Sequence, residues 1–189
     1  MYILQERIRQ EGLILSDTVL KVDTFINHQV DTALVVAIGE QLADYFRQEQ
    51  ITKVITIEAS GIQFAMATAI ALQTPFIYAK KKKSIIQDET AYRAPVYSFT
   101  KQENYEVSIS RNLLDATDRV LVVDDFLATG AALIGIVDII AQSGAHLVGV
   151  GCAIEKSFQA GRQLLEEKGV RVHSLARIKQ MSPGHIEFL

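Results

Sequence analysis

Two adjacent carboxylates, Asp124 and Asp125, follow the apolar run of residues 120–123. A loop of small residues, 128–130, comes next and leads into a predicted helix that begins at Ala131. Backbone N–H groups at a helix N-terminus favour anions, so this loop can bind a phosphate group. The carboxylates cannot bind phosphate themselves, but they suit sugar hydroxyls or the water shell of a metal ion beside it. The combination predicts a ribose 5-phosphate site.

A simpler interpretation of the same segment stays open on the residues alone. An acidic strand end can precede a helix that has Thr129 as its N-cap. Other chemistries find less support, because the sequence contains neither a P-loop nor a dinucleotide-binding Gly-x-Gly-x-x-Gly motif. Its four histidines lack metal-ligand spacing, no nucleophile elbow occurs, and Cys152 lies in an apolar run, where burial is expected.

Length and composition limit the class of protein. The chain has 189 residues, of which 49% are hydrophobic and 22% charged, with a formal net charge of -3. These values are typical of one folded domain and argue against a disordered chain or a general nucleic-acid binder. The single cysteine fits a reducing compartment, and no apolar run reaches the roughly 20 residues of a membrane helix. We therefore expect a cytoplasmic protein with no nucleic-acid or membrane partner.

The surrounding sequence predicts elements of an α/β fold. Helices are predicted over 31–48 with Asp31 as N-cap, over 62–72, over 131–143 ending at Gly144, and over 159–168; strands are predicted over 53–57, 76–79, 105–109, 119–125, 146–154 and 170–176. Alternating strands and helices indicate a central, mostly parallel sheet flanked by helices, with ligands beyond the carboxyl ends of the strands. Residues 80–97 lack clear periodicity and are expected to form a long loop.

Residues 120–132 resemble the phosphoribosyl-pyrophosphate (PRPP) motif of type I phosphoribosyltransferases. Four apolar residues, two acids, two apolar residues and a small loop follow in the family's order. The resemblance implies a single domain over 1–189, with a small hood formed by roughly 1–30 and part of the C-terminus. It also implies a catalytic pair, Asp124 and Asp125, and a set of PRPP-binding residues. That set is Ala128, Thr129, Gly130, Ala131 and Ala132.

This loop departs from the family at one point. Many members carry Gly and then Thr or Ser where this chain has Ala131 and Ala132. Backbone N–H groups are therefore expected to contribute more of the phosphate binding.

Two further segments match the resemblance. The turn after strand 53–57 resembles the family's pyrophosphate loop, although adenine-type members usually carry Arg where Ser60 stands. Its residues are Glu58, Ala59, Ser60 and Gly61.

The lysine run 80–83 corresponds to the family's mobile basic loop, here about 80–97, that closes over the diphosphate. Lys81 and Lys83 are the lysines expected to bind PRPP. Because such loops often reach into the site of a neighbouring subunit, a homodimer is expected. The resemblance also implies Mg²⁺ that is held mainly through PRPP and water.

Within this family the whole chain resembles the bacterial xanthine phosphoribosyltransferases. Lys156 corresponds to a lysine that donates to the purine O6, and Phe158 to an aromatic residue that stacks on the base. A donor at this point disfavours a 6-amino group. Leu20 and Asn27 lie at hood positions implicated in base binding, where Asn27 would contact the 2-oxo group, although simple hood packing is an alternative for Leu20.

The implied reaction transfers a phosphoribosyl group from PRPP to xanthine, giving xanthosine monophosphate. A hypoxanthine/guanine enzyme is an alternative, and an adenine enzyme a weaker one. A PRPP-sensing purine regulator is another alternative, but such regulators carry an added N-terminal DNA-binding domain. Because the hood segment lies near residues 16–28, we expect no such domain here.

Overall fold

A computed structural model describes residues 1–82, 90–98 and 103–189. Its helices are α1 (Tyr2–Glu11), α2 (Thr32–Phe46), α3 (Ile62–Leu72), α4 (Ala131–Ser143) and α5 (Gly161–Glu167). Its strands are β1 (Leu13–Ile14), β2 (Leu20–Lys21), β3 (Lys53–Ile57), β4 (Phe76–Lys82), β5 (Ala91–Ser98), β6 (Glu103–Ser110), β7 (Arg119–Leu127), β8 (His146–Lys156), β9 (Val172–Ser182) and β10 (His185–Phe188). Every helix in these ranges is too short or too polar to cross a membrane.

The main sheet has the strand order β10-β9-β8-β7-β3-β4-β6-β5. Its five middle strands, from β9 to β4, run parallel. The outer strands β10, β6 and β5 pair antiparallel. One apolar core contains residues of α1, α2 and α3, and a second contains residues of α4 and α5 on the other face. The predicted α/β fold, with a mostly parallel sheet flanked by helices, is confirmed.

Local sequence signals explain where the helices begin and end. The Asp31 carboxylate accepts a hydrogen bond from the backbone N–H of Leu34 at 3.1 Å, as the predicted N-cap of α2. Gly144 ends α4 with a left-handed φ of 76°, also as predicted. The alternative interpretation, in which Thr129 caps α4, is wrong, because Gly130 is the N-cap, with φ 81°, and no side chain caps the helix.

The expected long loop over 80–97 is wrong where the structure describes it. Strand β4 continues to Lys82, and β5 pairs with β6 along its whole length. Ala94 and Val96 are buried, whereas Pro95 and Tyr97 are exposed, so β5 alternates as a half-buried strand does. Proline is tolerated because β5 is the edge strand of the sheet. Residues 83–89 lie outside the described ranges.

The first 30 residues pack against the C-terminal strands. The amino group of Met1 donates to the carbonyl oxygen of Leu175 on β9. The Arg9 guanidinium lies 4.8 Å from the ring centroid of Phe188 on β10. A π-helical turn, Asp23–Asn27, follows the β1–β2 hairpin. The two ends of the chain therefore meet beside β9, at one end of the sheet order.

Candidate functional site

Strand β7 carries the two carboxylates at the centre of the sheet, between β3 and β8. Asp124 is 8% exposed, and its Oδ1 accepts the backbone N–H of Asp125 at 3.0 Å. Burial, and then the negative charge of Asp125, raise the pKa of Asp124 well above its usual range, although the positive charge of Lys81 opposes this. The pair therefore combines a buried carboxyl with a half-buried one.

The turn after β3 lies against this acid pair. A Cβ atom at Gly61 would lie 2.0 Å from Thr56 Oγ1 and 2.6 Å from Asp124 Oδ1, so only glycine allows this approach. Glu58 Oε1 accepts the backbone N–H of Lys81 at 2.6 Å. The peptide bond between Glu58 and Ala59 is cis. The structure thus brings the turn 58–61, the end of β4 and the acids of β7 together.

The small-residue loop before α4 opens into a cleft of about 400 Å³. Ala128 and Thr129 of the loop line the cleft, together with Ala131 and Ala132 of the first turn of α4. Lys156 lines the same cleft from β8, while Tyr105 lines it from β6. Burial, and then the charge of Asp124, raise the pKa of Tyr105. The cleft therefore adjoins the N-terminus of α4 and a lysine, and Tyr105 on its wall is close enough to Asp124 to be affected by its charge. A helix N-terminus and a lysine can together receive the phosphate of a phosphorylated sugar.

Lys156 lies between the N-terminal segment and the acid pair. Its Nζ donates to the carbonyl oxygen of Thr18 at 2.7 Å and lies 5.4 Å from the ring centroid of Phe126. Burial lowers the pKa of Lys156, and the charge of Asp125 opposes that change. In this arrangement the hood carbonyl holds the lysine over the cleft.

The other predicted base-binding residues do not line the cleft that Lys156 lines. Phe158 is 39% exposed and lines a separate cleft of about 420 Å³, with Asp17 and His185. Leu20 is buried in the core beside α1, and Asn27 is exposed at the end of the π-helical turn. Within the described residues, neither lines the cleft that Lys156 lines. Lys83 lies outside the described residues, and Lys81 is exposed with its Nζ 5.7 Å from the Tyr105 ring centroid.

Sequence reasoning missed Glu155, which is 1% exposed. Its Oε1 and Oε2 accept Arg162 Nε and Nη2 at 2.9 and 2.6 Å, and its Oε1 also accepts the Ser157 hydroxyl at 2.6 Å. Burial alone would raise the pKa of Glu155, but the hydrogen bonds outweigh burial and hold that pKa at about 2. The sequence signal that could have revealed Glu155 is a charged residue at the end of an apolar strand.

Other residues that line the phosphate-loop cleft were not predicted from the sequence. They include Thr18, Val19, Tyr105 and Gln159.

The acid pair by itself does not form a protein metal site. In the part of the chain that the structure describes, no three His, Cys, Asp or Glu side chains lie together as a metal site would require. A divalent ion beside Asp124 and Asp125 would need oxygen ligands from a bound molecule and from water.

Residues 28–176 match the family model described as the phosphoribosyl transferase domain. A Brevibacillus brevis protein is 63% identical over 98% of this chain and 95% of its own length. A protein of Streptococcus equi subsp. zooepidemicus is 56% identical over 100% of this chain and 98% of its own. A Bacillus mycoides protein is 50% identical over 100% of this chain and 96% of its own. All three are named xanthine phosphoribosyltransferase.

Solved structures share the fold at lower identity. Adenine phosphoribosyl transferase from Trypanosoma brucei has a TM-score of 0.76 at 19% identity, covering 92% of this chain and 79% of that one. The enzyme from Thermoanaerobacter pseudethanolicus has a TM-score of 0.76 at 20% identity, covering 92% and 99%. These similarities concern the fold alone, whereas the family model and the bacterial relatives confirm the resemblance found in residues 120–132. The chain belongs to the phosphoribosyl transferase family.

Proposed function

We propose that the protein acts in purine salvage by transferring the 5-phosphoribosyl group of PRPP to xanthine. The products would be xanthosine 5′-monophosphate and diphosphate. The observation that carries the choice of base is the 63% identity, over 98% of the chain, to a protein named xanthine phosphoribosyltransferase. The type of reaction is supported by two observations: Gly61 of the turn 58–61 packs against Asp124, and the strand that carries Asp124 leads into the phosphate loop that lines the cleft.

The residues of the proposed site would divide the substrate between them. N–H groups of residues 128–132 would bind the 5′-phosphate at the start of α4. The turn 58–61, with Lys81 and Lys83, would bind the diphosphate. Asp124 and Asp125 would accept the ribose hydroxyls, and Asp125, which is the less buried of the two, is the more accessible to the sugar.

The reaction needs positioning and charge stabilisation more than a protein nucleophile. As the bond between ribose C1 and diphosphate breaks, positive charge develops on the sugar ring, and the purine nitrogen attacks the opposite face. Carboxylates already fixed beside the ring stabilise that charge without reorganising. Holding both reactants in the cleft also lowers the entropic part of the barrier.

Recognition of the base would involve residues that now lie apart. Lys156 would donate to the purine O6 after releasing the carbonyl of Thr18, to which it is now hydrogen-bonded. Phe158 would stack on the base, and Leu20 and Asn27 would contact it from the hood. Phe158 lines a neighbouring cleft in the turn after β8, so contact of all four with one base would need the hood and this turn to approach each other.

Mg²⁺ and a second subunit complete the proposal. The acid pair supplies only two carboxylates, which suits an ion that takes most of its oxygens from PRPP and water. When bound, Mg²⁺ would neutralise charge on the diphosphate as it leaves.

We further propose a cytoplasmic homodimer without nucleic-acid or membrane partners, in which the basic segment near Lys81 can approach the neighbouring subunit.

The test measures diphosphate release from PRPP with xanthine, hypoxanthine, guanine or adenine as the acceptor. We expect xanthine to give the highest kcat/KM. Asp125→Asn tests the role of the acid pair in the same assay. It removes charge stabilisation without changing side-chain volume, so we expect kcat to fall by about 100-fold and the melting temperature to stay unchanged. A preference for hypoxanthine or guanine would contradict the choice of base. PRPP binding without base-dependent release would instead favour a regulator.

A further inference from the structure

The first residue of α5 packs directly on the phosphate loop. The backbone N–H of Gly161 donates to the carbonyl oxygen of Ala128 at 3.0 Å. A Cβ atom at Gly161 would lie 2.3 Å from that oxygen and 2.8 Å from the nitrogen of Gly130. A Cβ atom at Gly130 would lie 2.8 Å from the Cα of Gly161. The two backbones are therefore in contact, without space for even a methyl group between them.

The next residue anchors this end of α5 to the sheet. Arg162 forms a bidentate pair with the buried carboxylate of Glu155, at the end of β8. Its Nη1 also donates to the carbonyl oxygen of Val172 on β9, at 3.2 Å. Planar, bidentate pairing fixes the guanidinium in direction as well as in distance. The position of Gly161 is therefore set by two strands of the sheet.

We propose that Gly161 and Arg162 are positioning residues for the 5′-phosphate. This inference rests on the proposed function of the 128–132 loop. Arg162 fixes the start of α5, and Gly161 holds the Ala128 carbonyl away from the cleft, which leaves the following N–H groups free to face an anion. The effect is large in this chain because Ala131 and Ala132 have no hydroxyl group to add to those N–H groups. Donors that are already oriented lose less entropy when the ligand binds.

Gly161→Ala tests the contact directly. The added methyl group displaces Ala128 and Gly130, so we expect the dissociation constant of ribose 5-phosphate, measured by calorimetry, to rise at least about tenfold. The KM for PRPP should rise in parallel, while kcat changes by less than about threefold. Gly169→Ala, just beyond the other end of α5, is the control, because it strains the backbone at φ 77° in open space, with no atom within 4 Å, and does not touch the phosphate loop. It should lower the melting temperature and leave the dissociation constant unchanged.

A second variant covers the case in which Gly161→Ala does not fold. Arg162→Lys keeps the positive charge but loses the bidentate geometry, so it should weaken ribose 5-phosphate binding by about threefold to tenfold. The inference is overturned if either variant folds and binds ribose 5-phosphate as tightly as the wild type does. It is also overturned if Gly169→Ala loses as much affinity for ribose 5-phosphate as Gly161→Ala, or if the wild type does not bind ribose 5-phosphate. If the wild type binds ribose 5-phosphate but no purine gives diphosphate release, the proposed function fails while this test remains decisive.

Discussion

Replacing Glu155 by glutamine measures what its buried ion pair contributes to the stability of the fold. The carboxylate is 1% exposed and receives two hydrogen bonds from Arg162. Burial raises the pKa of Glu155, but the hydrogen bonds from Arg162 and Ser157 outweigh it and hold the pKa at about 2, against an ordinary value of 4.5. That difference corresponds to about 3 kcal/mol of folding free energy at neutral pH.

The sign of the pH dependence follows from a folded-state pKa below the unfolded one. The contribution is fully present above the unfolded pKa of about 4.5 and is lost as the pH falls toward the folded value of about 2. Near pH 3 about 2 of the 3 kcal/mol should be lost. The stability difference between wild type and Glu155→Gln should therefore shrink by about 2 kcal/mol between pH 6 and pH 3.

Urea unfolding followed by circular dichroism, at one protein concentration, measures this difference. Any pH-independent cost of the amide beside Arg162 adds equally at both pH values, so the change with pH isolates the carboxylate. Glu40→Gln, at an exposed position on α2, is the matched control and should differ little from wild type at either pH. A difference for Glu155→Gln that stays constant with pH would refute the reasoning.

Two further substitutions test the cleft. Gly61→Ala places a carbon 2.0 Å from Thr56 Oγ1 and 2.6 Å from Asp124 Oδ1, so displacement of the acid should lower kcat by about 100-fold. Steady-state kinetics measure this, and an unchanged kcat would argue against a role for the turn. Lys156→Met keeps an unbranched side chain of similar length without its charge, and should raise the KM for xanthine at least about tenfold, with little change in the KM for PRPP. Equal KM values for xanthine in variant and wild type would contradict the role of Lys156.

Local signals made much of the fold predictable from the sequence. Asp31 and Gly144 mark helix ends through short-range hydrogen bonds and backbone conformation, which a single segment contains. Strand β5 was missed because its apolar face has only Ala94 and Val96 between polar residues and Pro95. That face is stabilised by pairing with β6 and by packing against Val107, and neither contact is visible within the segment itself.

In the candidate site, too, features that follow from local sequence could be predicted, whereas features that depend on long-range contacts could not. The carboxyl ends of β3 and β7 could be located from sequence, which predicted that the turn at Gly61 and the acid pair would meet. Lys156 and Phe158 are two residues apart, yet they line different clefts, because β8 ends at Lys156 and a turn redirects the chain. The contact between Gly161 and the phosphate loop depends on how two helices approach one another, which a motif does not encode.

Two buried carboxyls at neighbouring strand ends differ in how their charge is compensated. Glu155 on β8 has two arginine partners, Arg162 and Arg177, and its pKa is held at about 2. Burial, and then the negative charge of Asp125, raise the pKa of Asp124 on β7, and Lys81 opposes this only in part. A buried carboxylate that is paired with arginine keeps its charge in the folded protein, whereas an uncompensated one costs stability unless a ligand supplies hydroxyl groups or positive charge. This contrast, which motif matching does not reveal, supports the proposal that the Asp124 side of the sheet binds substrate while the Glu155 side holds the structure around it.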